Sequence, residues 1–158
     1  MLFRSADKDL YDAMDDADDK NFDDRKQYLK RRSFDLVADQ TGKLFDPEVL
    51  TIVWARRFAG YKRADLLTRD MDRFNALLSN KKYPVQIIWA GKPYPLDYPS
   101  IGDFNNLVNL SKNYKNVAVC IGYELAVSRR LKQAADIWLN NPRVPREASG
   151  TSGMTAAM

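Results

Sequence analysis

The sequence predicts an α/β protein built on a doubly wound parallel sheet, and three observations predict it. Segments of strand character and helix character alternate four times with short connections. The strand-like runs are short, apolar and rich in β-branched residues, as strands covered on both faces are. The polar and glycine-bearing connections all follow strands, on the edge where open parallel sheets bind ligands. At 158 residues the chain fits one domain or most of one.

The elements follow in order. Asn21 can cap a helix that runs to about Gln40, with Asp23 and Asp24 in its first turn and Lys30, Arg31 and Arg32 beyond them. Thr41-Gly42 breaks that helix, and Asp46-Pro47 makes a turn. Val49-Leu50-Thr51-Ile52-Val53-Trp54 is the first strand. Residues 63–79 carry Leu67, Met71, Phe74 and Leu78 at helical spacing. Val85-Gln86-Ile87-Ile88-Trp89 is the second strand, and residues 101–113 form a helix with Ile101, Phe104 and Val108 on one face. Val117-Ala118-Val119-Cys120-Ile121 is the third strand, residues 124–133 a short helix, and Asp136-Ile137-Trp138-Leu139 the fourth strand. From Gly150 the chain is small and alanine-rich and starts a further helix. The fourth strand is followed by so little chain that the sequence is expected to be a piece of a longer protein.

Composition narrows the chemistry. The chain has no histidine, which excludes Ser-His-Asp and Cys-His catalysis and nearly every zinc site. The single cysteine, Cys120, excludes a disulfide within the chain and suits a reducing compartment. No run approaches the ~20 apolar residues of a membrane span. Nothing reads as a signal peptide, so a cytoplasmic protein is expected. Residues 1–24 hold nine aspartates against three cations, a net −6, which leaves +10 on the rest. An acidic arm, helical or disordered, thus precedes a basic body suited to an anionic partner.

The anion has a predicted place. After the first strand come Arg56, Arg57, Lys62 and Arg63, four cations in eight residues. After the second comes Gly91-Lys92, after the third Gly122-Tyr123-Glu124, and after the fourth the run from Pro142 to Met154. That last run holds Glu147 and the small residues Ala148, Ser149, Gly150, Thr151, Ser152 and Gly153 ahead of a helix start, where backbone N–H groups can approach an anion. Arginine offers a fork to phosphate oxygens, lysine a point charge, and a neighbouring carboxylate accepts from sugar hydroxyls. Taken singly, each residue has a plainer role. Arg56 and Arg57 can be surface charges, Lys62-Arg63 a solvated helix start, Gly91 and Gly122 turn glycines, and Tyr61 and Tyr123 packing residues. Trp54, Trp89 and Trp138 read as core, and Cys120 as a buried strand residue with nothing to lower its pKa.

The segments Arg56-Arg57-Phe58-Ala59-Gly60-Tyr61-Lys62-Arg63 and Pro145-Arg146-Glu147-Ala148-Ser149-Gly150-Thr151-Ser152-Gly153-Met154 closely resemble two signatures of the α-glucan (glycogen, starch and maltodextrin) phosphorylase family. Gly91-Lys92 and Gly122-Tyr123-Glu124-Leu125 stand between them in the family's order. The resemblance covers about residues 44–158. It implies a GT-B glycosyltransferase fold, with residues 25–158 an incomplete Rossmann-like C-terminal catalytic domain and residues 1–24 the arm. It implies phosphorolysis of terminal α-1,4-linked glucose to glucose 1-phosphate with retention. It makes Arg57 and Lys62 catalytic ligands of the substrate phosphate. Glu147, Ala148, Ser149 and Gly150 match the loop that holds the glucose hydroxyls. Arg56, Tyr123 and Thr151 match contacts to pyridoxal phosphate. The implied partners are an α-1,4-glucan, inorganic phosphate and the N-terminal domain of the same protein, with a homodimer left open. No nucleic acid or membrane is expected, since aromatic residues do not interleave with the basic loop as single-strand binders require.

One position departs from the family. Its members hold pyridoxal phosphate as a Schiff base on a lysine that directly follows the methionine of this motif. Here Met154 is followed by Thr155, and the last lysine in the chain is Lys132. A hydroxyl cannot replace the amine that an aldehyde needs. Three alternatives follow from the sequence: the cofactor binds without a covalent bond; a nucleotide-sugar glycosyltransferase uses a diphosphate in its place; or the protein binds glucan without turnover.

Overall fold

The computed structural model describes residues 18–122, 125–147 and 150–157. Its elements are α1 (Asp19–Thr41), β1 (Leu50–Ala55), α2 (Met71–Leu78), β2 (Val85–Gly91), α3 (Tyr98–Ser111), β3 (Val117–Ile121), α4 (Leu125–Ala134), β4 (Ile137–Trp138) and α5 (Thr151–Ala157). The four strands are all parallel, in the order β3-β2-β1-β4. The fold is therefore the expected α/β sheet flanked by helices, of the Rossmann-like half type. The chain steps from β1 through β2 to β3 in one direction, then returns past β1 to lay down β4 on its other side. The reversal makes the gap between the carboxyl ends of β1 and β4 a topological switch point, where such sheets open a crevice.

Both faces of the sheet are covered, which explains the near-continuous apolar strands. One face packs Val53, Ala55, Ile88, Ala90, Ala118 and Cys120 against Phe34 and Val37 of α1 and Val127, Leu131 and Ala134 of α4. The alternate residues Ile52, Trp54, Ile87, Trp89, Val117 and Val119 meet Phe74 of α2 and Leu107 of α3. Trp54 and Trp89 are buried as expected, and Trp138 is half-buried at the short edge strand.

Polar side chains fasten the helices to the sheet at the edge away from the crevice. Lys30 is buried, and its Nζ donates to the Val49 carbonyl at 2.8 Å and to Asp136 Oδ2 at 2.7 Å. The same carboxylate oxygen accepts from the Thr51 N–H. A buried ammonium is tolerated only when its protons are met in this way. Lys43 donates to the carbonyls of Ser111, Tyr114 and Val117, closing the end of α3. Among the described residues, no helix is long and apolar enough to cross a membrane.

The fourth strand is shortened to Ile137–Trp138, and helix boundaries differ from the sequence pattern by more than one residue in three places. Helix α1 is capped by Asp18, not Asn21, and its first turn holds Asp19 rather than Asp23 and Asp24. No basic residue stands in its last turn; Gly42, at φ +68°, ends it by donating to the Ala38 carbonyl. The helix expected over residues 63–79 begins only at Met71, capped by Asp70. Arg63 has φ +51°, which a helix cannot hold, and it stands between two short 3-10 turns, Gly60–Lys62 and Leu66–Thr68. Helix α3, on the β2–β3 connection, starts earlier than expected, at Tyr98, because Asp97 caps it and Pro99 suits its first turn.

Gly91 is more than a turn glycine. It sits at φ +152° at the end of β2, where an added Cβ would lie 1.9 Å from the Arg56 carbonyl oxygen. The ladder between β1 and β2 thus runs on past the strands, with the Arg56 N–H on the Ala90 carbonyl and the Phe58 N–H on the Lys92 carbonyl.

Gly91→Ala is expected to push these backbones apart and lower the stability of the full-length protein by about 3 kcal/mol. Its thermal midpoint should drop by several degrees (about that size by), and an unchanged midpoint would contradict the close approach. Cys120 is buried, and desolvation pushes its thiol up to about 12 from 9.0. At pH about 8.5, native Cys120 should therefore alkylate roughly a thousandfold more slowly than in the unfolded chain, because so little thiolate forms. The native rate should still climb with pH where the unfolded rate has levelled off. Equal labelling of the Cys120 peptide in both states would show the residue to be accessible.

Candidate functional site

The crevice at the switch point is lined on one wall by the β1 loop and on the other by the segment after β4. Strand β1 delivers Arg56 at its carboxyl end, where the side chain is 2% exposed, while Arg57 turns outward. Lys62 ends a short 3-10 turn two residues on from Gly60. The two walls are sewn together by hydrogen bonds that are distant in sequence. Arg63 donates from Nε to the Asn141 carbonyl at 2.8 Å and from Nη2 to the Pro142 carbonyl at 3.2 Å. Asn141 Nδ2 donates back to the Arg63 carbonyl, and Asn141 Oδ1 accepts from the Trp54 indole. The Arg143 N–H donates to the Tyr61 carbonyl at 2.7 Å.

This stitching brings Glu147 onto Arg56, 91 residues earlier in the chain, in a direct ion pair. Lys62 Nζ stands 3.8 Å from the same carboxylate oxygen. The pair leaves capacity unused. Arg56 Nε and Nη1, Glu147 Oε2 and Ser152 Oγ are buried with no hydrogen-bond partner among the described residues. Buried donors of this kind cost about 1–3 kcal/mol each when left unmet. They are the positions at which an anionic or polyhydroxylated ligand would be accepted.

Arg56, Arg57, Lys62, Glu147 and Thr151 all line one cavity of about 610 Å³. That is the size of an ordinary small-molecule site. Arg57 and Glu147, 90 residues apart by their numbering, thus share one rim rather than opposite sides of the molecule. Gly150 lies just before α5, where its carbonyl accepts from the Met154 N–H. Tyr123, Ala148 and Ser149 lie outside the described residues.

Further residues line the cavity, some from the same motif segments and others from α4, which sequence order does not bring there. Tyr61, Ser128, Lys132, Arg146, Ser152 and Thr155 complete its walls, with Leu125 at one side. Its described lining therefore carries five cationic side chains against one carboxylate. Lys132 comes from α4, and its Nζ donates to Thr155 Oγ1 at 2.5 Å. Helical periodicity on α4 could have placed Lys132 one turn beyond Ser128, but no sequence signal brings that face to α5.

No family profile matches the chain. It is 51% identical over 135 residues to an uncharacterized protein of Methanocaldococcus jannaschii, covering 85% of this chain and 26% of that protein. It is 35% identical over 137 residues to the glycogen phosphorylase of Aquifex aeolicus, covering 85% of this chain and 20% of that enzyme. With the maltodextrin phosphorylase of Thermococcus litoralis the identity is 35% over 158 residues, covering 98% of this chain and 19% of that enzyme. The chain spans about a quarter or less of the length of these curated relatives. By sequence, the chain is related to the α-glucan phosphorylases and matches one stretch of those longer proteins.

Proposed function

We propose that the crevice between β1 and β4 is part of the active site of an α-glucan phosphorylase, and that residues 25–158 are part of its C-terminal GT-B catalytic domain. The observation that carries this is a buried guanidinium, Arg56, with two nitrogens unmet among the described residues, beside Arg57, Lys62 and an ion-paired Glu147. Fixed cations around a small cavity suit two anionic groups, and a carboxylate with a free oxygen suits sugar hydroxyls. In the reaction, the bond from glucose C1 to the bridging oxygen breaks and a phosphate oxygen bonds to C1 on the same face. A phosphate proton ends on the departing glucan oxygen, so nothing is oxidised or reduced. Arg57 and Lys62 would hold the substrate phosphate and stabilise charge as the sugar becomes cationic. Glu147 and Gly150, with Ala148 and Ser149, would hold the glucose.

The donors present also fit pyridoxal phosphate. Arg56 Nε and Nη1 and Ser152 Oγ are buried with no partner among the described residues, and Thr151 lies on the same wall. Arg56, Thr151 and Tyr123 would contact it. When bound, the cofactor supplies a second phosphoryl group beside the substrate anion. Phosphate, an α-1,4-glucan and the N-terminal half of the fold are the partners this function requires, and a cytoplasmic location suits them.

The full-length protein should release glucose 1-phosphate from maltooligosaccharide and phosphate. Arg57 is exposed, so Arg57→Ala should leave the thermal midpoint in place while raising the phosphate KM about tenfold or more. An unchanged phosphate dependence would remove Arg57 from the site. Glucosyl transfer from a nucleotide-glucose donor without phosphorolysis would make the protein a synthase-type enzyme, which the Thr155 substitution favours as the second reading. Glucan binding without any turnover would make it a non-catalytic relative.

A further inference from the structure

We propose that Lys132, carried by α4, supplies the amine that holds pyridoxal phosphate in place of the lysine missing at position 155. The role presupposes the phosphorylase function proposed above. The geometry points to this one side chain. Lys132 Nζ lies 2.5 Å from Thr155 Oγ1, so a primary amine stands at the side chain of the residue where the family resemblance calls for one. Thr155 is held in turn, its hydroxyl donating to the Thr151 carbonyl at 2.9 Å. Lys132 and Thr155 line the cavity that also holds Arg56, Ser152 and Thr151. The amine and the unmet phosphate donors therefore face one space.

The other cavity lysine is committed elsewhere. Lys62 Nζ sits near Glu147 and over the Tyr61 ring. Among the described residues no carboxylate pairs with Lys132; its ammonium lies 5.8 Å over the Trp138 ring and on a neutral hydroxyl. The step is balanced. The amine loses a proton and adds to the aldehyde carbon, a C–N bond forms, and the carbonyl oxygen leaves as water. The nitrogen regains its proton in the C=N product, so ammonium and aldehyde give one protonated C=N bond and one water, with no change of oxidation state. Thr155 accepts from Lys132 and positions it; it takes no part in the bond.

The test uses full-length protein incubated with pyridoxal 5′-phosphate, reduced with borohydride, digested and mapped by mass spectrometry. The pyridoxyl adduct is expected on Lys132, at least about tenfold above any other lysine. Lys132→Arg keeps the charge and a hydrogen-bond donor but has no primary amine, so it should lose the trapped adduct. Adding Thr155→Lys to that variant should restore trapping, now at position 155, which also shows that the variant is folded. An adduct on a different lysine, or a bound cofactor band that borohydride does not fix, would overturn the role of Lys132 and leave the phosphorylase function standing. Phosphorolysis with no cofactor bound would do the same. Absence of both cofactor binding and phosphorolysis would overturn the proposed function itself.

Discussion

The site depends on a single buried charge, the guanidinium of Arg56 at the end of β1. It is almost wholly withdrawn from water, so it must find anionic or hydrogen-bonding partners or cost several kcal/mol. Glu147 meets one nitrogen, and among the described residues the others have no partner. A protein that stabilised only itself would place a second acceptor there. Leaving those donors open makes the pocket complementary to an added anion, and the energy withheld from folding is available to binding.

That arrangement is positioned by backbone rather than by side-chain reach. The sheet fixes β1 and β2 through paired residues from Leu50 with Val85 to Ala55 with Ala90. Gly91 lets β2 pass against the Arg56 carbonyl, which sets the direction in which Arg56 leaves the strand. On the far wall, β4 is only two residues long and cannot by itself hold the segment that follows. Arg63, Trp54 and Asn141 do this instead, fastening that segment to the β1 loop. Rigid strands and a stitched loop give a preorganised set of charges, which is what stabilisation of a charged transition state needs.

The sheet is legible in the sequence because each buried strand is a short β-branched run and each connection has its own punctuation. The sequence also places Arg57 and Glu147 on one edge, because strands of a parallel sheet end on the same side. Elements governed by distant contacts are not legible. Residues 63–79 carry a helical stripe, yet Arg63 takes a left-handed conformation and spends its guanidinium on carbonyls 78 and 79 residues away. Gly91 looks like any turn glycine until the Arg56 carbonyl is placed against it. Lys132 stands before β4 and Thr155 after it, so their meeting depends on how α4 and α5 pack, which no local pattern encodes.

A crystal structure of the full-length protein with glucose 1-phosphate bound addresses the central claim most directly. The phosphoryl group is expected within hydrogen-bond distance of Arg57 and Lys62, with the glucose ring toward Glu147 and the segment after it. A phosphoryl group bound elsewhere on the molecule, with Arg56 and Glu147 still facing an empty crevice, would contradict it.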